Sequence, residues 1–151
     1  MAGPSFRFRL ERVRALRERA EDEAKEAFAG AMMERVRSEQ EMDDAAQRVA
    51  QARDSQLHAA AAPISATELM ARQAYLERSE RAHQASKDDL NRRDQVVEQR
   101  REELTEAARD RQALERLKEN RRIEFQREQA RIEAADLDEI ALNGFRRRAA
   151  A

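Results

Sequence analysis

Between Leu10 and Asn143 only one short stretch, Ala62-Pro63-Ile64-Ser65, clearly interrupts a helical pattern. Proline disfavours the helical conformation at Ala62 and has no backbone N–H to donate. The residues that follow restart a helix. Ser65-Ala66-Thr67-Glu68 has the spacing of a capping box, with Ser65 as N-cap and Glu68 at the third helical position. Ile64 and Leu69 have the spacing of a hydrophobic staple across that cap. A chain punctuated once in this way predicts two long helices joined by one turn. We read a first helix over about 6–61, a turn at 62–65, a second helix over about 66–143 ended by Asn143-Gly144, and a short basic tail at 144–151. The second helix would then be ~117 Å long at 1.5 Å per residue, too long for the inside of a globule of this size. The expected fold is all-α, a single coiled-coil domain over 1–151 in which the helices double back as an antiparallel rod.

Composition agrees with that plan. Charged residues make up 40% of the 151, aromatics 4%, and tryptophan is absent, so a thick core is out of reach. Mean hydropathy is −1.00. The apolar residues form narrow stripes instead. In the second helix a seven-residue series runs Leu69, Leu76, His83, Leu90, Val97, Leu104, Arg111, Lys118, Phe125, Ile132, a coiled-coil seam with polar interruptions. The first helix offers Val13, Leu16, Ala20, Ala24, Ala27 and Ala31, then Met42, Ala45, Val49 and Ala52. The eleven-residue step from Ala31 to Met42 reads as local unwinding. Counting equal rises outward from Pro63, facing residues have numbers summing to about 126. This sets Leu57 against Leu69, Val49 near Leu76, Met42 near His83, Phe28 near Val97 and Phe6 near Asn120.

The unequal helix lengths leave residues beyond about 121 without an intramolecular partner. Yet Phe125, Ile132, Leu137, Ile140, Leu142 and Phe145 are there, at the same end as Phe6 and Phe8. The alternating stretch Phe6-Arg7-Phe8-Arg9-Leu10 fits either an extended arm or a first helical turn capped by Ser5. Its rings are expected to be buried by something other than this chain's own core.

Several function classes find no support. Net charge is −1 and the signs are mixed, without the basic face of a nucleic-acid binder. There is no cysteine. No apolar run approaches the ~20 residues of a membrane span, and the first residues lack a signal peptide's apolar segment, so we expect a cytoplasmic protein without direct membrane insertion. No phosphate loop, nucleophile motif or metal-ligand spacing is present, and His83 has no second ligand at i+3 or i+4. No catalytic, cofactor-binding or metal-binding residue is expected. Pairs such as Asp88–Arg92 and Asp89–Arg93 support the helix and carry no chemistry.

Four features in order carry a resemblance: FRFRLERV at Phe6 to Val13, the single proline-marked turn, LERLKENRR at Leu114 to Arg122, and LDEIA at Leu137 to Ala141. Together they resemble the FliJ family of flagellar export proteins over nearly the whole chain. The resemblance implies a component of flagellar type III protein export, folded like the stalk (gamma) subunit of rotary ATP synthases. It implies a partner in the hexameric export ATPase, whose ring such a stalk enters and helps to assemble. It further implies contact with the membrane export gate, escort of export chaperones, and a place at the cytoplasmic face of the inner membrane at the flagellar base. By that resemblance Phe6, Phe8, Leu10 and Val13 with Leu137, Ile140 and Phe145 would form the ATPase-facing end, while Leu117, Arg121 and Arg122 would present a contact face on the second helix. No cofactor is implied, and the isolated chain is expected to be a monomer. The alternatives are the equivalent stalk of a virulence-type injectisome and a structural coiled-coil homodimer or filament. The Asn143-Gly144-Phe145 stretch departs from the polar helical tail expected of the family.

Overall fold

Ser65 starts the longer helix as its sequence context predicts. In the computed structural model, which describes residues 5–61 and 63–150, the Glu68 N–H donates to Ser65 Oγ at 3.2 Å and the Leu69 N–H to the Ser65 carbonyl at 3.0 Å. The Glu68 carboxylate does not complete the box; it accepts from Arg72 Nη2 at 3.0 Å. Ala62 lies outside the described residues. Two helices result, α1 (Glu11–Ala59) and α2 (Ala66–Ala149), packed against each other as a hairpin, with no strand among the described residues.

Both outer boundaries differ from expectation. Residues 5–8 are not helical, and α1 begins at Glu11, where the Arg14 N–H donates to the Leu10 carbonyl at 2.9 Å. The arm alternative therefore holds over the helical turn. At the other end Asn143-Gly144 does not stop α2, which runs on to Ala149. A glycine stop needs a left-handed residue, and no described residue has positive φ. Arg146, Arg147 and Arg148 in the last turn favour continuation, because cations stabilise the negative end of the helix dipole.

The chain packs as two compact units, each made from a segment of both helices: Asp22–Glu106, and the residues up to Glu21 with those from Ala107 onward. In Asp22–Glu106 the seam is an unbroken heptad. Phe28, Arg35, Met42, Val49 and Gln56 form one column of α1, and Ala24, Ala31, Ser38, Ala45, Ala52 and Ala59 the other; all are buried or half-buried. The expected unwinding between Ala31 and Met42 is thus replaced by regular packing in which Arg35 and Ser38 occupy seam positions. Each has a partner there: Arg35 Nε reaches Asp94 Oδ1 at 2.7 Å, and Ser38 Oγ donates to Asp89 Oδ2 at 2.8 Å. On α2 the series from Leu76 to Leu104 faces inward as expected. Val49, Ala52 and Leu76 form the apolar cluster, and small side chains on α1 allow the close approach.

Some expected pairs do not form. Leu57 is 74% exposed and Leu69 54%, whereas Gln56 and Gln73 bond across the pair at 3.0 Å. Facing residues sum higher than 126: Ser38 with Asp89 gives 127, Gln56 with Gln73 129, and Arg53 with Glu80 133. Side chains lean toward the N-terminus of their own helix, by about one position each. In an antiparallel pair the two leans add about two to each sum, which matches the first two pairs and falls short of the third.

Replacing Leu76 with alanine should cost about 2 kcal/mol, the low end for a buried leucine because this core is thin. Leu57→Ala should stay within about 0.5 kcal/mol. Urea unfolding followed by circular dichroism at the helix band distinguishes the two; equal losses would place Leu57 in the seam.

Candidate functional site

The unit formed by the two chain ends is held by charge more than by apolar contact. The expected α1 row of Val13 and Leu16 faces outward, and Arg14 and Glu21 take the inward positions. Across to α2 runs a ladder of ion pairs: Glu21 with Arg111, Arg17 Nη1 with Asp110 Oδ2 at 3.0 Å, Arg14 Nη1 with Glu115 Oε1 at 2.8 Å, and Glu11 Oε2 with Lys118 Nζ at 2.9 Å. Glu21 is only 5% exposed, so its guanidinium partner supplies the charge that burial requires. Glu11 also accepts two bonds from Arg14, at 2.9 Å and 2.7 Å. Those bonds, with the one from Lys118, lower the Glu11 carboxyl from 4.5 to about 2. Glu11 in turn raises the Arg14 guanidinium, and Glu21 raises that of Arg111.

This clamp fixes the root of the arm. The Glu11 N–H donates to the Phe8 carbonyl at 3.2 Å, turning the chain out of α1. Phe6 then lies on Phe125 of α2, ring centroids 5.8 Å apart and tilted by 49°. The expectation that Phe125 has no partner within the chain, and that Phe6 lies near Asn120, is therefore corrected. The arm and α2 enclose an open groove of about 910 Å³, with Phe6, Phe8, Leu10, Leu117 and Phe125 as its apolar lining and Arg7, Arg9, Arg121, Glu124 and Glu128 as its charged one.

Of the residues singled out from sequence, Phe6, Phe8, Leu10, Leu117 and Arg121 come together in this groove. Val13 sits on the outer side of α1, 40% exposed. Arg122 does not share the groove; it lines a separate hollow with Glu115 and Lys118 and pairs with Glu119 at 3.7 Å. Arg121 pairs with Glu124 at 2.8 Å. Leu137, Ile140 and Phe145 lie further along α2, 66–67% exposed, and ~18–30 Å of helix separates them from Phe125. The clamp residues Glu11, Arg14, Glu115 and Lys118 were missed from sequence. Their signal was opposite charge at facing positions, readable only in the shifted register.

Among the described residues no group of three His, Cys, Asp or Glu side chains is placed to hold a metal, and no helix is long and apolar enough to cross a membrane. His83 is half-buried in the seam. The described residues do present an aromatic groove and an exposed apolar helix face. The model of the family described as flagellar FliJ protein matches residues 6–150, and the chain belongs to that family. Its function is accordingly related to flagellar export, in a family whose members are non-catalytic export components. No characterised protein sequence and no solved structure matches the chain.

The clamp predicts an acid-sensitive fold. A carboxyl lowered by folding holds its proton less readily in the folded chain, so its contribution is complete above the unfolded value and lost as pH falls through the folded one. For Glu11 that window runs from 4.5 down to about 2. Asp89, which accepts from Ser38, is lowered in the same direction. Urea midpoints should be flat near neutrality and fall through this window, and Glu11→Gln should reduce the fall. A stability that rises on acidification would contradict the assignment.

Proposed function

We propose that this chain is the stalk of the flagellar export ATPase: it enters the central opening of the hexameric ring, promotes ring assembly, and links the ring to the membrane export gate. Family membership supports the export setting. The observation that carries the finer reading is the pairing, in one unit, of the Phe6–Phe8 arm with a bare α2 face bearing Leu137, Ile140 and Phe145. Leu137, Ile140 and Phe145 are more than half exposed and stabilise a complex when a partner buries them, by roughly 1.5–3 kcal/mol each, whereas Phe6 and Phe8 are already half-buried. Leu117 and Arg121, at the groove, and Arg122, beside it, would extend the contact face. Escort of export chaperones, and residence at the cytoplasmic face of the inner membrane at the flagellar base, follow in this reading from the gate and ATPase contacts. The chain would act in the ring as a single copy.

The test uses the full chain with the purified export ATPase. Leu137→Ala with Ile140→Ala, and separately Phe6→Ala with Phe8→Ala, should each lower affinity for the ATPase by at least about tenfold. Helix content should stay near that of the parent chain. Undiminished stimulation of ATP hydrolysis by both double variants would overturn the proposal.

A further inference from the structure

The last stretch of α2 is built differently from the rest of the chain. Up to Arg131 the charges are mixed in sign, and many pair with neighbours three or four positions away, as Arg131 does with Glu128 at 2.6 Å. From Glu133 the signs separate. Glu133, Asp136, Asp138 and Glu139 form an acidic block, and Arg146, Arg147 and Arg148 a basic one. Among the described residues none of these seven side chains forms an ion pair within the chain; Arg148 bonds only the Gly144 carbonyl, at 3.3 Å. Within the acidic block the spacings of three bring like charges together, which opposes the helix. All of residues 130–143 are exposed.

At 100° per residue Leu137, Ile140, Ala141 and Phe145 fall on one side, with Gly144 among them, while Leu142 falls on the other. Asp136 and Arg147 lie just outside the Ile140 edge of that stripe and Glu133 just inside it, while Arg148 falls within the stripe. In an antiparallel helix pair like edges meet. A reversed second helix centred on Ala141 therefore sets Leu137 against Phe145, and Glu133 and Asp136 against Arg147 of the second copy. Ala141 and Gly144 put little bulk at the centre; the only heavy atom within 4 Å of a Cβ at Gly144 is Arg148 Nη2, the end of a flexible side chain. Charge segregation and the stripe thus point to one occupant.

We propose that the exposed end of α2 is a self-association surface, on which two copies of this chain pair antiparallel about Ala141. The contact is short, ~27 Å of helix from each copy, near the lower limit of stable interfaces, so the dimer is weak and exchanges readily. It differs from the monomer expected of the isolated chain from its sequence. The surface shares Leu137, Ile140 and Phe145 with the face proposed to meet the ATPase, so one pairing excludes the other, and sedimentation of the chain alone tests only the self-association.

Sedimentation velocity on the full chain between about 1 and about 100 μM provides the test. The parent chain should shift from monomer to dimer across that range. A variant with Arg146, Arg147 and Arg148 all changed to Glu, and another with Glu133, Asp136, Asp138 and Glu139 all changed to Lys, should each stay monomeric. An equimolar mixture of the two should recover the dimer, and salt should weaken it. Because the chain has no cysteine, Ala141→Cys provides an orientation check: it should form a disulfide-linked dimer readily, and Ala130→Cys should not. A parent chain monomeric throughout, a mixture that fails to associate while both variants keep their helix content, or equal cross-linking at both cysteines would overturn the proposal.

Discussion

A pair of helices has only one strip of mutual contact, and everything else in this molecule depends on what fills it. The strip cannot form a deep interior: no large side chain among the described residues is fully buried. Polar side chains can therefore occupy seam positions, provided each finds a partner, and no buried side-chain nitrogen or oxygen among them lacks one. In Asp22–Glu106 the strip mixes Val49, Leu76 and Val97 with Arg35 and Ser38. In the unit of the two chain ends it is mostly a ladder of opposite charges.

The two kinds of strip do different work. Apolar packing is favourable but non-directional, and an alanine-rich face slides easily past its partner. Ion pairs and charged hydrogen bonds add directionality, because a one-position slip breaks them and sets unpaired groups in the seam. Arg35 with Asp94, and Arg14 with Glu115, hold the register of their own units. Lining the strip with charge also leaves the large apolar side chains elsewhere. Leu10, Val13, Leu16, Leu137, Ile140 and Phe145 all remain substantially exposed. This surplus is available for docking, and it suits a family that acts by binding within the flagellar export apparatus.

The arm shows how far local pattern reaches. Five residues of alternating Phe and Arg did not separate an extended arm from a helical turn. Backbone geometry decides it at Glu11, whose carboxylate gathers Arg14 and Lys118 at the start of α1. Phe125 was legible as a seam residue by its place in the heptad, but its partner was not. The count that set Phe6 near Asn120 followed backbone rise and omitted the lean of the side chains, and it assumed that the arm continues the helix.

Helix identity, the Ser65 cap, the inward series of α2 from Leu76 to Leu104 and the apolar surplus at the chain ends could all be read from the order of residues. Each depends on local propensity or on a single helix's periodicity, quantities a linear sequence carries in full. Which charges enter the seam, where Phe6 rests and the splitting of Arg121 from Arg122 were decided only when the helices met. Those outcomes turn on the relative stagger of two surfaces, and stagger is set by long-range pairing, where a shift of one side-chain position exchanges a matched charge for an unmatched one.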